Sequence, residues 1–128
     1  MGYIKFNPNP QHNLVGDCVI RAIAAATQKT WDDIYIDLCI QGFKMCDMPS
    51  SNAVWKAYLL NNGFDMHIIN SSCSDCYTVK QFADEHKEGT YVLGTGNHAV
   101  AVISGNYYDS WDSGEEVLMF YFQKEIVQ

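Results

Sequence analysis

The run CVIRAIAAAT, residues 18–27, constrains this chain more than any other stretch. Ala-rich segments are intrinsically helical. Apart from Arg21 and the closing Thr27, every residue in the run is apolar, so the helix has no broad face suited to water. A helix apolar nearly all round needs cover on every side. The rest of the chain must therefore wrap around it, and 128 residues suffice for one domain with a real core. Gly16-Asp17 just ahead supplies a turn and an N-cap. Cys18 then falls in the first turn, where the helix dipole and unpaired backbone N–H groups favour a thiolate. The other reading of that position is a small core hydrophobe, the ordinary role of a free cysteine.

The remaining pattern divides the domain into an arm at 1–14, a helical half at 15–64 and a mixed half at 65–128. "NPNP" makes the arm irregular, because each proline disfavours helix in the residue before it. "TWDDIYIDLCIQGF" predicts a second helix, capped by Thr30, acidic in its first turn at Asp32 and Asp33, and ended by Gly42. A third helix is expected over roughly 52–61, ended by Gly63, and "DMHII" reads as a short strand. "TVKQFADEHKEG" predicts a fourth helix, capped by Thr78 and closed by Gly89. After that come strands, "TYVLGTG", "NHAVAVISG", "NYYDSWDSG" and "EVLMFYFQKE", separated by Gly, Ser and Asn. Helices first and antiparallel strands afterwards indicate an α+β fold.

Composition excludes several functions. The net charge is -7, and no basic patch of the kind nucleic-acid binders carry is visible. No apolar run reaches the ~18 residues of a membrane span. "MGYIKFNPNPQHN" lacks the apolar stretch of a secretion signal. Five cysteines without such a signal read as free thiols in a reducing cytoplasm. "CSDC" at 73–76 has zinc-knuckle spacing but no second close pair, so neither a structural metal nor a cofactor is expected.

The stretch "GNHAVAVISGNYYDSWDSG" at 96–114 predicts a hairpin. With a turn at Ser104-Gly105, Trp111 lies opposite His98 and Asp109 opposite Val100. Asp109 and His98 are then diagonal neighbours, about 7–8 Å apart at the backbone, and Asp112 points the other way. With a turn at Gly105-Asn106, Asp109 moves ~13 Å from His98 along the strand. Taken singly, His98 reads first as a satisfied strand histidine and Asp109 as a turn carboxylate. Together with Cys18 they form a nucleophile, a base and an orienting group.

The order Cys18, His98, Asp109 resembles that of the papain-like cysteine peptidases, and "DSW" at 109–111 is similar to that family's "NSW". The chain resembles the leader-cutting peptidase domains of bacteriocin exporters, where the orienting residue is often Asp. It looks closer still to short papain-like proteins of bacterial and phage genomes with a "GDCVIRAI"-type run and a "YDxWDSG"-type hairpin. The likeness covers roughly residues 7–122. It implies a papain-like fold, with the nucleophile helix packed on a C-terminal antiparallel sheet. It also implies a peptidase or related thiol hydrolase acting on peptides or proteins, with Trp111 shielding the His98–Asp109 bond. The family's oxyanion-hole glutamine stands six residues before the cysteine, where this chain has His12. Gln11 or Asn13 is expected to take its place. The residue after the nucleophile also departs from the family, being Val19. A catalytically inactive scaffold, serving as a protein-binding adaptor or inhibitor, is the alternative.

Of the other features, Arg21 is expected to hold the arm or pair with Asp17. Trp31, Trp55 and Tyr58 fit a core, and His67 a strand. His12 and His86 read as solvated. "FKMCDMPSS" is the expected cleft-lining loop.

Overall fold

The computed structural model describes residues 2–69 and 77–125. Helix α1 (Cys18–Thr27) forms where expected and buries Arg21, Ala22, Ile23, Ala24, Ala25 and Ala26. Ile23 is completely enclosed, and truncating it to alanine would cost about 3 kcal/mol in lost burial and residual cavity. Helix α2 (Trp31–Met45) starts at the Thr30 cap, whose side chain accepts from the Asp33 N–H. It does not end at Gly42. It continues to Met45 and closes on Cys46, which adopts a left-handed conformation. Gly42 serves close approach instead: a Cβ there would lie 2.8 Å from the Asp47 carbonyl. Helix α3 (Asn52–Leu60) follows, then strand β2 (Phe64–Ile68).

Helix α4 (Val79–Glu85) opens with a full capping box between Thr78 and Gln81. It stops at Glu85, short of Gly89, where His86 leaves the helical conformation. His86 is not solvated as expected: its ring stacks on Phe82 with 3.7 Å between centroids. Strands β3 (Thr90–Gly94), β4 (Ala99–Ile103), β5 (Asn106–Asp109) and β6 (Phe120–Lys124) complete the mixed half.

The N-terminal arm is not wholly irregular. Tyr3–Lys5 forms a strand, β1, which pairs parallel with β5. The prolines lie beyond it, at positions 8 and 10, and leave the first residues free to pair. The sheet is therefore mixed, in the order β1-β5-β4-β3-β6-β2, with every pair but the first antiparallel. Ala99, Ala101, Val92 and Phe122 pack with α1, α2 and α3 on one face. Val100, Val102, Leu93 and Tyr107 pack with Val79, Phe82 and Ala83 of α4 on the other. The chain is thus an α+β domain in three layers.

No helix among the described residues is long and apolar enough to cross a membrane. "CSDC" at 73–76 lies outside the described residues. Within them, no group of three or more His, Cys, Asp or Glu is placed to hold a metal ion.

Candidate active site

The β4–β5 hairpin fixes one half of the site. Ile103 pairs with Asn106, Val102 with Tyr107 and Ala101 with Tyr108, so the turn is Ser104-Gly105. Both turn residues have positive φ, 52° and 82°, which suits the right-handed twist of the strands. This is the register that brings Asp109 near His98. The loop leading into β4 is closed on itself, since the Thr95 N–H and hydroxyl both donate to the His98 carbonyl. That fixes the backbone from which the imidazole projects.

His98 Nε2 lies 2.6 Å from Asp109 Oδ2. Asp109 is fully buried, and each of its oxygens accepts two hydrogen bonds. Oδ2 also accepts from the Ser113 hydroxyl at 2.6 Å. Oδ1 accepts from Arg21 Nη2 at 2.8 Å and from the Ser110 N–H at 2.7 Å. Asp112 is elsewhere, accepting from the Tyr107 hydroxyl and the Gly114 N–H. Trp111 sits beside His98 with 5.0 Å between ring centroids, while staying 47% exposed. It covers one flank of the imidazole.

The other half of the site is the start of α1. Asp17 holds the N-cap position but makes no capping bond there. Its carboxylate goes instead to Arg21 Nη1 at 2.6 Å and to the Trp31 indole N–H at 2.9 Å. The first N–H groups of a helix have no intrahelical acceptor, so those of Cys18 and Val19 remain available to an anion. With Nε2 committed to Asp109, Nδ1 is the ring nitrogen left for Cys18.

The electrostatics follow from this geometry. Burial pushes the Cys18 thiol up. Hydrogen bonds with His98 and the Ala99 backbone, and the charges of His98 and Arg21, outweigh that and hold it below the ordinary thiol range. Burial pulls His98 down, but its bonds to Asp109 and Cys18 prevail and push it up to about 9. Burial likewise raises Asp109, yet donation from His98 and Ser113 leaves it below the usual carboxylate range. All three shifts favour thiolate, imidazolium and carboxylate together.

Cys18 and His98 lie where two recesses meet. The larger, about 700 Å³, is lined by Asn9, Trp31, Tyr35, Met48, Trp55 and Phe120 among others. The smaller, about 420 Å³, is flanked by Leu14, Val15, Ser110 and Trp111. Met48, Pro49 and Ser50 belong to the larger wall, so the "FKMCDMPSS" loop does border the cleft. Trp31 and Trp55, expected as core, also face it.

The amide expectations need correction. Gln11 is exposed and is not part of the cleft wall; its backbone N–H donates to Asn9 Oδ1 at 2.9 Å. The His12 residue beside it, at φ 55°, turns the chain there. Asn13 does border the cleft. The amide that sequence reasoning missed is Asn9. It is buried, shares the cleft wall with Cys18, and has its Oδ1 occupied by Gln11, which leaves Nδ2 to donate. Spacing from the cysteine gave no hint of it, because the loop between them does not run straight. Ser113 and the Arg21–Asp109 bond were missed as well; only the i,i+4 spacing of Asp17 and Arg21 was legible.

Comparison with protein-family models, curated proteins and solved structures gave no match to this chain.

Proposed function

We propose that this chain is a thiol hydrolase of the papain-like kind, a cysteine peptidase acting on peptide or protein substrates. The observation that supports it is the convergence of Cys18, His98 and Asp109 at the meeting point of two recesses. In this reading the Cys18 thiolate attacks the scissile carbonyl carbon. The oxyanion accepts from the Cys18 N–H and from the Asn9 or Asn13 amide. The His98 imidazolium gives its proton to the leaving amine, and the C–N bond breaks to leave an acyl-thioester. His98 then takes a proton from water, whose oxygen attacks the thioester and releases the acid. The proton returns to the Cys18–His98 pair. Asp109 keeps the imidazole in the productive orientation throughout. A cytoplasmic location, where thiols stay reduced, suits this chemistry.

The test is incubation of the protein and Cys18→Ala with a mixed peptide library, with new termini read by mass spectrometry. New termini from the native chain alone are expected. None from either protein, together with an inert Cys18, would sink the hydrolase reading and favour a binding scaffold.

A further inference from the structure

Arg21 is 5% exposed and lies one helical turn after Cys18. It spends one guanidinium nitrogen on each of two carboxylates: Nη1 on Asp17 at 2.6 Å and Nη2 on Asp109 at 2.8 Å. Both are buried, Asp109 completely. Buried networks of this kind are costly to desolvate, and apolar residues of similar volume often serve stability as well or better. Nor does Asp109 need Arg21 to be satisfied, since Ser113, Ser110 and His98 already donate to it.

What the network does accomplish is a mechanical link. The guanidinium is planar and rigid, with its donors in a fixed fork. One prong grips the residue before the nucleophile, and the other grips the residue that holds the base. Asp17 cannot swing away, because its second oxygen is held by Trp31 Nε1 at 2.9 Å. We infer that Arg21 is a positioning residue: through Asp17 and Asp109 it sets where the His98 imidazole stands relative to the start of α1. This rests on the proposed hydrolase reading and names a part of its site.

The charged and titratable groups around Arg21 come from four elements. The α1 end supplies Asp17 and Cys18, the start of β4 supplies His98, and β5 supplies Asp109. From β1, the Tyr3 hydroxyl donates to the Asp109 carbonyl at 3.1 Å. Arg21 contributes positive charge to Cys18 as well as position. A lysine at the same place keeps the charge but cannot fork to two carboxylates, so it separates the two effects.

The experiment is the pH dependence of iodoacetamide alkylation at Cys18, normalised to the folded fraction, in the native chain, Arg21→Lys and Asp17→Asn. In both variants the acid-side midpoint is expected to move up by about one pH unit, a roughly tenfold slower reaction near pH 6. Lysine is expected not to rescue it. A merely structural Arg21 would lower the folded fraction and leave the midpoint of the folded molecules unchanged, and that result overturns the proposal. If Arg21→Lys does not fold, the near-isosteric Asp17→Asn decides alone. An ordinary thiol midpoint in the native chain would instead remove the hydrolase reading, before any variant is compared.

Discussion

The imidazole of His98 and the carboxylate of Asp109 meet at 2.6 Å, although the regular pairing of their strands stops at Ala101 and Tyr108. The pair stands beyond the β4–β5 ladder, although the Asp109 backbone still pairs with Lys5 of β1, so cross-strand pairing does not set the imidazole against the carboxylate. It is held by Ser113, Ser110 and Arg21 instead.

Replacing Asp109 should therefore do two things. Asp109→Ala is expected to slow acyl transfer by one to several orders of magnitude, since the imidazole loses its orienting acceptor. It also leaves Arg21 with only one buried partner, so a loss of about 3 kcal/mol or more in folding stability is expected by denaturant titration. Asp109→Asn should be milder in rate, because an amide oxygen still accepts from Nε2. Asp112→Ala should change little beyond the Tyr107 and Gly114 turn contacts. Equal rate losses at 109 and 112 would contradict the assignment.

Among Cys18, Cys39 and Cys46, Cys18 should be alkylated first by iodoacetamide near pH 6. Its thiol is held below the ordinary range, and the thiolate is the reacting species. Mass mapping of the labelled peptides reads the order. Faster labelling of Cys39, which borders the same cleft, would count against the thiolate at Cys18.

His98 sets a pH limit with a definite sign. Its proton is held up to about 9 in the folded chain, against an ordinary 6.5. Extra affinity for a proton stabilises the fold in full below the lower value and is lost as pH rises through the upper one. The Tm advantage of the native chain over His98→Gln should be complete below about pH 6 and shrink as pH climbs through about 9. Acyl transfer should fall over the same alkaline limb, where the leaving group loses its proton donor. A Tm advantage that grows above pH 9 would show the shift to be of the opposite sign.

Asn9 and Gln11 can be told apart by kinetics. Removing an oxyanion-hole donor costs about 100-fold or more in turnover, and Asn9→Ala is expected to show a loss of that order with KM little changed. Gln11→Ala should retain nearly all activity, because its side chain is exposed outside the cleft wall. The reverse result would return the role to Gln11.

Much of this arrangement is written in local sequence. The apolar run 18–27, the Thr30 and Thr78 caps and the strand alternation from Ala99 to Ile103 each appear as read. So does the Ser104-Gly105 turn, where a single residue of slip would have parted His98 from Asp109. What escaped depends on contacts between distant segments. Tyr3–Lys5 is too short to show periodicity, and it becomes a strand only because β5 offers an edge. Gly42 is punctuation by residue type, yet it sits inside α2 because Asp47 and Pro49 pack against it. Asn9 reaches the cleft through a loop whose path only the fold determines, and the second partner of Arg21 is 88 residues away.

The strand order carries a consequence for how the chain comes off the ribosome. Of the described strands β6 is made last, yet it lies between β3 and β2 rather than at a sheet edge. Among the described residues β2 pairs only with Phe120–Lys124, and until that segment emerges the aromatic wall that Phe120 shares with Trp55 is open. Cys18 is synthesised long before His98, Asp109 and Ser113, and Phe6 must wait for the Asp109 carbonyl to which its N–H donates. Cys18 therefore emerges well before the His98 and Asp109 side chains that it lies beside in the fold, and the long-range closure that assembles the cleft is a late event in folding.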